Sequence, residues 1–248
     1  MNHHLIRFVA TLIIVLSFTV AGCGGGGDDD NAAGSASAPT PSAAKTLAIA
    51  PIAQQSPVWC WAASAQMVFT YYGLPSLSNG NNYQCGIVAA YWGNAYPACV
   101  FDCTLCQAGI GGMSDMQVLI DQYGIVARSI FGIPSRVLGS RIIFNALTMQ
   151  QVTAEIDAWR PVVAGISPNG YRYPNISQHV VVIVGYDTTN ASNPRVIVND
   201  PFPYEAFPTS PNPYLAVQAV HTRPGQYAVS YGAFVNPINW ANTLYGIQ

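Results

Sequence analysis

The stretch HVVVIVGY, His179 to Tyr186, is the most apolar strand pattern in the chain and the strongest constraint on its fold. A short run of β-branched residues belongs in a sheet. Three similar runs accompany it: VVAGI (Val162 to Ile166), RVIVND (Arg195 to Asp200) and YAVSYGAFV (Tyr227 to Val235). The segments ahead of them carry helical signals instead. Trp61, Ala65, Val68 and Tyr72 recur on one helical face, and Gly73 takes the position just past the helix end. Ser114 and Gln117 stand at capping-box spacing, which predicts a helix through MQVLIDQYG to Gly124. Thr148 and Gln151 repeat the signature before a helix that stops at Arg160-Pro161. Helices first and an antiparallel sheet afterwards predict an α+β fold. With half of its 248 residues hydrophobic, the chain can bury one sizeable core, expected over residues 47–248.

The N-terminus is of another kind. Phe8 to Gly22 has the length of a signal-peptide core and falls short of the roughly 18 to 20 apolar residues a spanning helix needs. Residues 1–22 are therefore expected to be an export signal. The signal ends in Val20-Ala21-Gly22-Cys23, which resembles the bacterial lipobox, so Cys23 is the expected lipidation site and anchor. Gly24 in place of an aspartate after it resembles outer-membrane sorting. The Gly-, Asp-, Ser-, Ala- and Pro-rich stretch that follows, taken over residues 23–46, cannot repay its ordering entropy and reads as a tether.

Charge excludes one class of partner. Only 8% of residues are charged, the net charge is −2, and the sole lysine, Lys45, falls in the expected tether. A polyanion would need a basic face, so no nucleic-acid partner is expected.

Six cysteines less Cys23 leave five, an odd number for an exported chain. Cys85, Cys99, Cys103 and Cys106 crowd into one Gly-, Asn- and aromatic-rich loop region, where two disulfides with three possible connectivities are expected. Zinc competes as a reading, but only Cys103 and Cys106 have the spacing of a zinc knuckle. No metal or other cofactor is expected. Either way Cys60 is left over, and an unpaired thiol in an oxidising compartment is a liability unless it is buried or used.

Cys60 lies in QQSPVWCWAASAQMV, where a polar loop turns into an apolar helix. Unpaired backbone N–H groups and the positive end of the helix dipole favour a thiolate at such a place. A thiolate nucleophile needs a base, and with His3 and His4 in the signal only His179 and His221 remain. His179 opens the most apolar strand, a place where a polar residue faces a cleft more often than a core. If the strands led by His179 and Arg195 pair antiparallel across DTTNASNP, the end of the second lies beside His179. Asn199 or Asp200 then shares its face, but not both, and the loop length leaves the register open. Trp59, Trp92 and Trp159 are expected in the core.

Gln54, the Trp59-Cys60-Trp61-Ala62-Ala63 helix start, the His179-led strand and Asn199-Asp200-Pro201 together resemble papain-fold cysteine peptidases. The likeness is strongest to bacterial members, including effector peptidases of plant pathogens and the peptidase domains of bacteriocin exporters, and it covers most of Leu47 to Trp240. It implies helices packed on a C-terminal antiparallel sheet and a peptide substrate. Cys60 would attack the carbonyl, His179 would shuttle the proton, and an orienting group would hold the imidazole. The Asp-Pro pair favours Asp200 over Asn199 for that role, and Gln54, rather than Gln55, would donate to the oxyanion. The Cys-Gly-Ser-Cys-Trp signature of papain itself is missing, so plant-type substrate pockets are not implied.

Overall fold

The computed structural model describes residues 43–78, 82–169 and 177–248. The expected signal (1–22), Cys23 and the tether as far as residue 42 lie outside the described residues. In chain order the elements are β1 (Ala44–Thr46), α1 (Cys60–Tyr71), α2 (Tyr83–Trp92), α3 (Ala98–Phe101), a 3-10 turn (Cys103–Leu105), α4 (Met113–Ser129), β2 (Arg141–Ile143), α5 (Met149–Asp157), β3 (Val162–Ile166) and β4 (His179–Asp187). Then come β5 (Arg195–Asn199), α6 (Pro213–Ala216), β6 (Val220–Arg223), β7 (Gln226–Ser230), α7 (Tyr231–Val235) and β8 (Trp240–Tyr245). This is the expected α+β architecture.

Among the described residues the sheet runs β2-β8-β3-β4-β5-β7-β6, with β1 added beside β4, and its strands pair antiparallel. β4 lies at its centre and is buried from Val180 to Tyr186, as its continuous apolar run requires. The β3 partners of β4 end at Ile183, and β1 takes over the same edge from Gly185 to Asp187. Ala44–Thr46 is thus sheet rather than tether. No hydrophobic alternation marks it, because its hold on β4 is backbone pairing, reinforced by Lys45 Nζ donating to the Asp157 carbonyl. Gly185 permits this close approach, since an added Cβ would fall 2.5 Å from the Lys45 carbonyl oxygen.

α1 starts one residue earlier than the pattern predicts and is buried on nearly every side. Gly73 follows it at φ 71°, as expected. The Thr148–Gln151 capping box is formed at α5. Two helical expectations fail at α4: Ser114 lies inside its first turn, with Gly112 as the N-cap residue, and the helix continues through Gly124 to Ser129. Gly124 marks contact rather than an end, because a Cβ there would sit 1.9 Å from the Arg136 carbonyl oxygen. The predicted strand Tyr227 to Val235 is broken at Ser230, whose hydroxyl accepts from Ala233 N and starts α7. The cysteine-rich loop region contains α2 and α3, and α2 is capped by the Asn82 side chain.

Candidate active site

Cys60 opens α1. The first intrahelical bond runs from Ala63 N to Trp59 O, so the N–H groups of Cys60, Trp61 and Ala62 precede the helical ladder and point out of its positive end. The flanking tryptophans are both buried, and their indoles anchor this end of the helix. Trp59 Nε1 donates to Cys106 O at 3.1 Å and Trp61 Nε1 to Ala108 O at 3.2 Å. Their acceptors close a segment stapled by Cys85–Cys103 and Cys99–Cys106. The expected two disulfides are present, and Cys103 and Cys106, whose spacing suggested zinc, join different partners. Cys60 is the free cysteine among the described residues and is partly exposed.

One turn into α1, Ser64 Oγ donates to Val180 O at 3.0 Å. Ser64 lies over Cys60 at i+4, so this bond fixes the helix start against the start of β4. It brings the Cys60 thiol close enough to the His179 imidazole for the two to interact. On the other side of the ring, His179 Nε2 meets Asp200 Oδ1 at 2.6 Å. With Nε2 engaged there, Nδ1 is the nitrogen left to face the thiol. The His179 side chain is 15% exposed and that of Asp200 is fully buried. Burial alone would push the His179 pKa down, but the Asp200 charge and the hydrogen bonds to Asp200 and Cys60 outweigh it and hold the pKa up at about 10.

The choice between Asn199 and Asp200 is made by one irregularity in the sheet. From Asp187↔Arg195 to Gly185↔Ile197 the two strands pair in one register, and from Ile183↔Val198 to Val182↔Asn199 they pair one residue out of step. The extra residue is Val184, a bulge whose carbonyl accepts from Leu47 N at 2.7 Å, just beyond β1. Past the bulge, continuing the register sets His179 opposite Phe202, and Asp200 lies two residues along on the same face. Without it the parity would reverse and Asn199 would share that face. Asn199 instead turns into the core, where Nδ2 donates to Ile49 O at 3.0 Å and Oδ1 accepts from Gln226 Nε2 at 2.7 Å.

Gln54 is buried and Gln55 exposed. Gln54 N donates to Pro201 O at 2.8 Å, which ties the loop before Cys60 to the turn after Asp200. Its Nε2 gives one hydrogen to Ser56 O at 2.9 Å, leaving the second for another acceptor. Gln55 N bonds the Gln84 side chain. His221 is elsewhere, paired with Glu205 at 3.1 Å on the surface. Trp59 is in the core as expected and Trp92 is partly buried, whereas Trp159 is 61% exposed at φ 61°, with Lys45 Nζ 3.9 Å from its ring centroid. Sequence reasoning missed Ser64, the Val184 bulge, and Tyr204 and Tyr214, which lie against Asp200. The aromatic run after Asp200, FPYEAF, was the available signal for Tyr204.

Residues 46–212 match the model of the Peptidase_C39-like family, a span that includes Gln54, Cys60, His179 and Asp200. No curated protein matches the sequence. Similar solved structures include two proteases. The Amb a 11 cysteine protease in its proform, a major ragweed pollen allergen, is 15% identical over 85% of this chain and 68% of that one, with a TM-score of 0.47. The bromelain protease from Ananas comosus, in complex with the E64 inhibitor, is 12% identical over 82% of this chain and 98% of that one, again with a TM-score of 0.47. The family match spans more than half of the chain, which belongs to the Peptidase_C39-like family of cysteine-type peptidases.

Proposed function

We propose that this member of the Peptidase_C39-like family hydrolyses peptide bonds by acyl transfer through Cys60, His179 and Asp200. One observation carries the reading: a single imidazole bridges a thiol at a helix N-terminus and a buried carboxylate. Asp200 keeps the proton on Nε2 and leaves Nδ1 for the thiol. The raised His179 pKa favours transfer of the Cys60 proton to Nδ1, and the resulting thiolate and imidazolium form an ion pair. The thiolate adds to the scissile carbonyl, and the oxyanion is met by the Cys60 N–H and the spare Gln54 Nε2 hydrogen. His179 then gives its Nδ1 proton to the leaving amine, and the thioester forms. A water, deprotonated by the same nitrogen, attacks the thioester and restores the thiolate while releasing the acid product. No step calls on a metal or an organic cofactor.

Product analysis on a peptide library tests this: new termini are expected with the unsubstituted protein and none with Cys60→Ala. A gain of one mass unit without cleavage would make the chain a deamidase instead.

The domain would work at a bacterial membrane, held by a lipid on Cys23 and the tether that follows. The support is the Val20-Ala21-Gly22-Cys23 motif after an export-signal core. Cys23→Ser should abolish fatty-acid labelling and release the protein into the soluble fraction, and unchanged membrane partition would contradict the tether.

A further inference from the structure

Four buried polar atoms lack any hydrogen-bond partner among the described residues: Gln54 Oε1, Trp92 Nε1, Asp200 Oδ2 and the Tyr214 hydroxyl. The last two are neighbours, since the Tyr214 hydroxyl lies against the Asp200 carboxyl, and burial and that charge together hold its proton on well above the usual tyrosine range. An acceptor short of a donor and a donor short of an acceptor, both shut away from water, can satisfy each other.

The fold holds Tyr214 for that purpose. It lies in the first turn of α6, where the Asn212 side chain accepts from Tyr214 N at 3.0 Å. Asn212 Nδ2 also donates to the Tyr227 hydroxyl at 3.1 Å. The Tyr214 ring stacks on that of Tyr227 at 4.1 Å and 4°, and Tyr227 is pinned to Val198 of β5, two residues before Asp200. The ring therefore has little freedom to swing its hydroxyl elsewhere. Tyr204 also lies against Asp200, but it is only partly buried and lines the cleft beside His179, where water can serve its hydroxyl. Tyr214 is fully buried and has no such recourse.

We propose that the Tyr214 hydroxyl donates to Asp200 Oδ2 and makes Tyr214 a positioning residue of the catalytic site, fixing the carboxylate so that Oδ1 stays on His179. Asp200 Oδ1 already accepts from His179 Nε2 and from Phe202 N at 2.8 Å. A donor on Oδ2 stops the carboxylate from rotating and stabilises its charge. Tyr214 acts through Asp200 and touches no substrate.

The inference rests on the reading of Asp200 as the group that orients His179, and its test does not depend on turnover. In the full chain, the His179 Nε2 proton should give a downfield NMR signal that disappears on acidification once its hydrogen bond to the carboxylate is lost. Tyr214→Phe removes a donor from the carboxylate, so the loss should occur about one pH unit higher, a tenfold change in proton affinity. Tyr204→Phe should leave the midpoint within a few tenths of a unit. On a cleaved peptide, Tyr214→Phe should lower kcat about tenfold with KM unchanged. An unmoved midpoint in Tyr214→Phe, or the shift in Tyr204→Phe instead, would overturn the proposal. Should Tyr214→Phe fail to fold, the unsubstituted protein with ζ-carbon-labelled tyrosine decides: a slowly exchanging Tyr214 hydroxyl proton supports the bond, and fast exchange refutes it. A protein that cleaves nothing yet shows the midpoint shift would sink the peptidase reading and leave this one standing.

Discussion

The site is assembled from two regions held in place by different means. On the sheet side, His179 and Asp200 sit at the ends of adjacent strands, and backbone register decides that they meet. On the helical side, Cys60 is placed by side chains reaching distant carbonyls: Trp59 to Cys106, Trp61 to Ala108 and Ser64 to Val180. Register is a property of the whole ladder and resists change at single positions, except where a bulge sets its parity. A helix end fixed by three side-chain bonds is only as firm as the segments that supply the acceptors. Val180 belongs to β4, and the segment that supplies the other two, at Cys106 and Ala108, is stapled by two disulfides. The sheet thus fixes His179 and Asp200, the proposed base and its orienter, and the disulfides secure Cys60, the proposed nucleophile.

The largest effects should come from cutting the contact between the two regions. Cys60→Ala and His179→Ala should each lower kcat by about 10³-fold or more, and the double substitution should cost little beyond either, because groups acting as one unit are strongly non-additive. Independent losses that multiply would mean the regions do not work as a pair. His221→Ala should leave the rate nearly intact, given its surface pairing with Glu205.

The next effects sharpen the sheet side. Asp200→Ala should lower kcat by about 10²-fold, less than loss of the base it orients. Asn199→Ala should spare most of the turnover but destabilise the fold by about 1 to 3 kcal/mol, since it leaves Gln226 Nε2 without its buried acceptor and takes one of two donors from Ile49 O. If Asn199→Ala proves the more damaging to kcat, the bulge at Val184 does not set the parity described above.

On the helical side the two bridges should separate stability from activity. Replacing Cys85 and Cys103 by serine opens the longer loop, with a sequence separation of 18 against 7 for Cys99 and Cys106. Chain entropy gives about 3 kcal/mol for the longer and about 2 kcal/mol for the shorter, read from urea midpoints. Activity should follow the opposite order, dropping several-fold more when Cys99–Cys106 is removed, because Cys106 supplies the acceptor for Trp59. Equal losses would detach the staple from the nucleophile.

The junction itself should show a pH dependence. An unfolded histidine titrates near 6.5, and folded His179 near 10. The folded protein binds this proton more tightly. The stabilisation it brings is full below about pH 6.5, declines through the interval and is gone above about pH 10. Urea midpoints of the unsubstituted protein should therefore fall from pH 6.5 to 10 more steeply than those of His179→Ala. Parallel curves would contradict the raised pKa.

The same contrast explains what the sequence disclosed. β3, β4 and β5 were legible because their apolar, β-branched runs must be buried, and the α1 start because a polar loop meets an apolar run at Trp59-Cys60-Trp61. Their approximate order placed His179 near Asn199 and Asp200. What remained open was parity, since the bulge at Val184 answers to Leu47, more than a hundred residues away, and leaves no local mark. β1 was hidden for a related reason: its strand is defined by pairing with β4 rather than by its own composition. Ser230 ended a β-rich run as a cap, a role its neighbours' propensities obscure. Gly124 looked like a helix end because an end and a close backbone approach call for the same residue. The cysteines announced two bridges, and only the packing of α2 and α3 selects Cys85–Cys103 and Cys99–Cys106 from three pairings.

The central claim is that a nucleophile secured by the helical side is activated by a base secured by the sheet side. Intact-protein mass spectrometry after brief reaction with a papain-type epoxide, followed by peptide mapping, tests it most directly. The account predicts one adduct, on Cys60, formed at least tenfold more slowly in His179→Ala. No adduct on the native protein, or labelling of Cys60 at the same rate in both proteins, would contradict it.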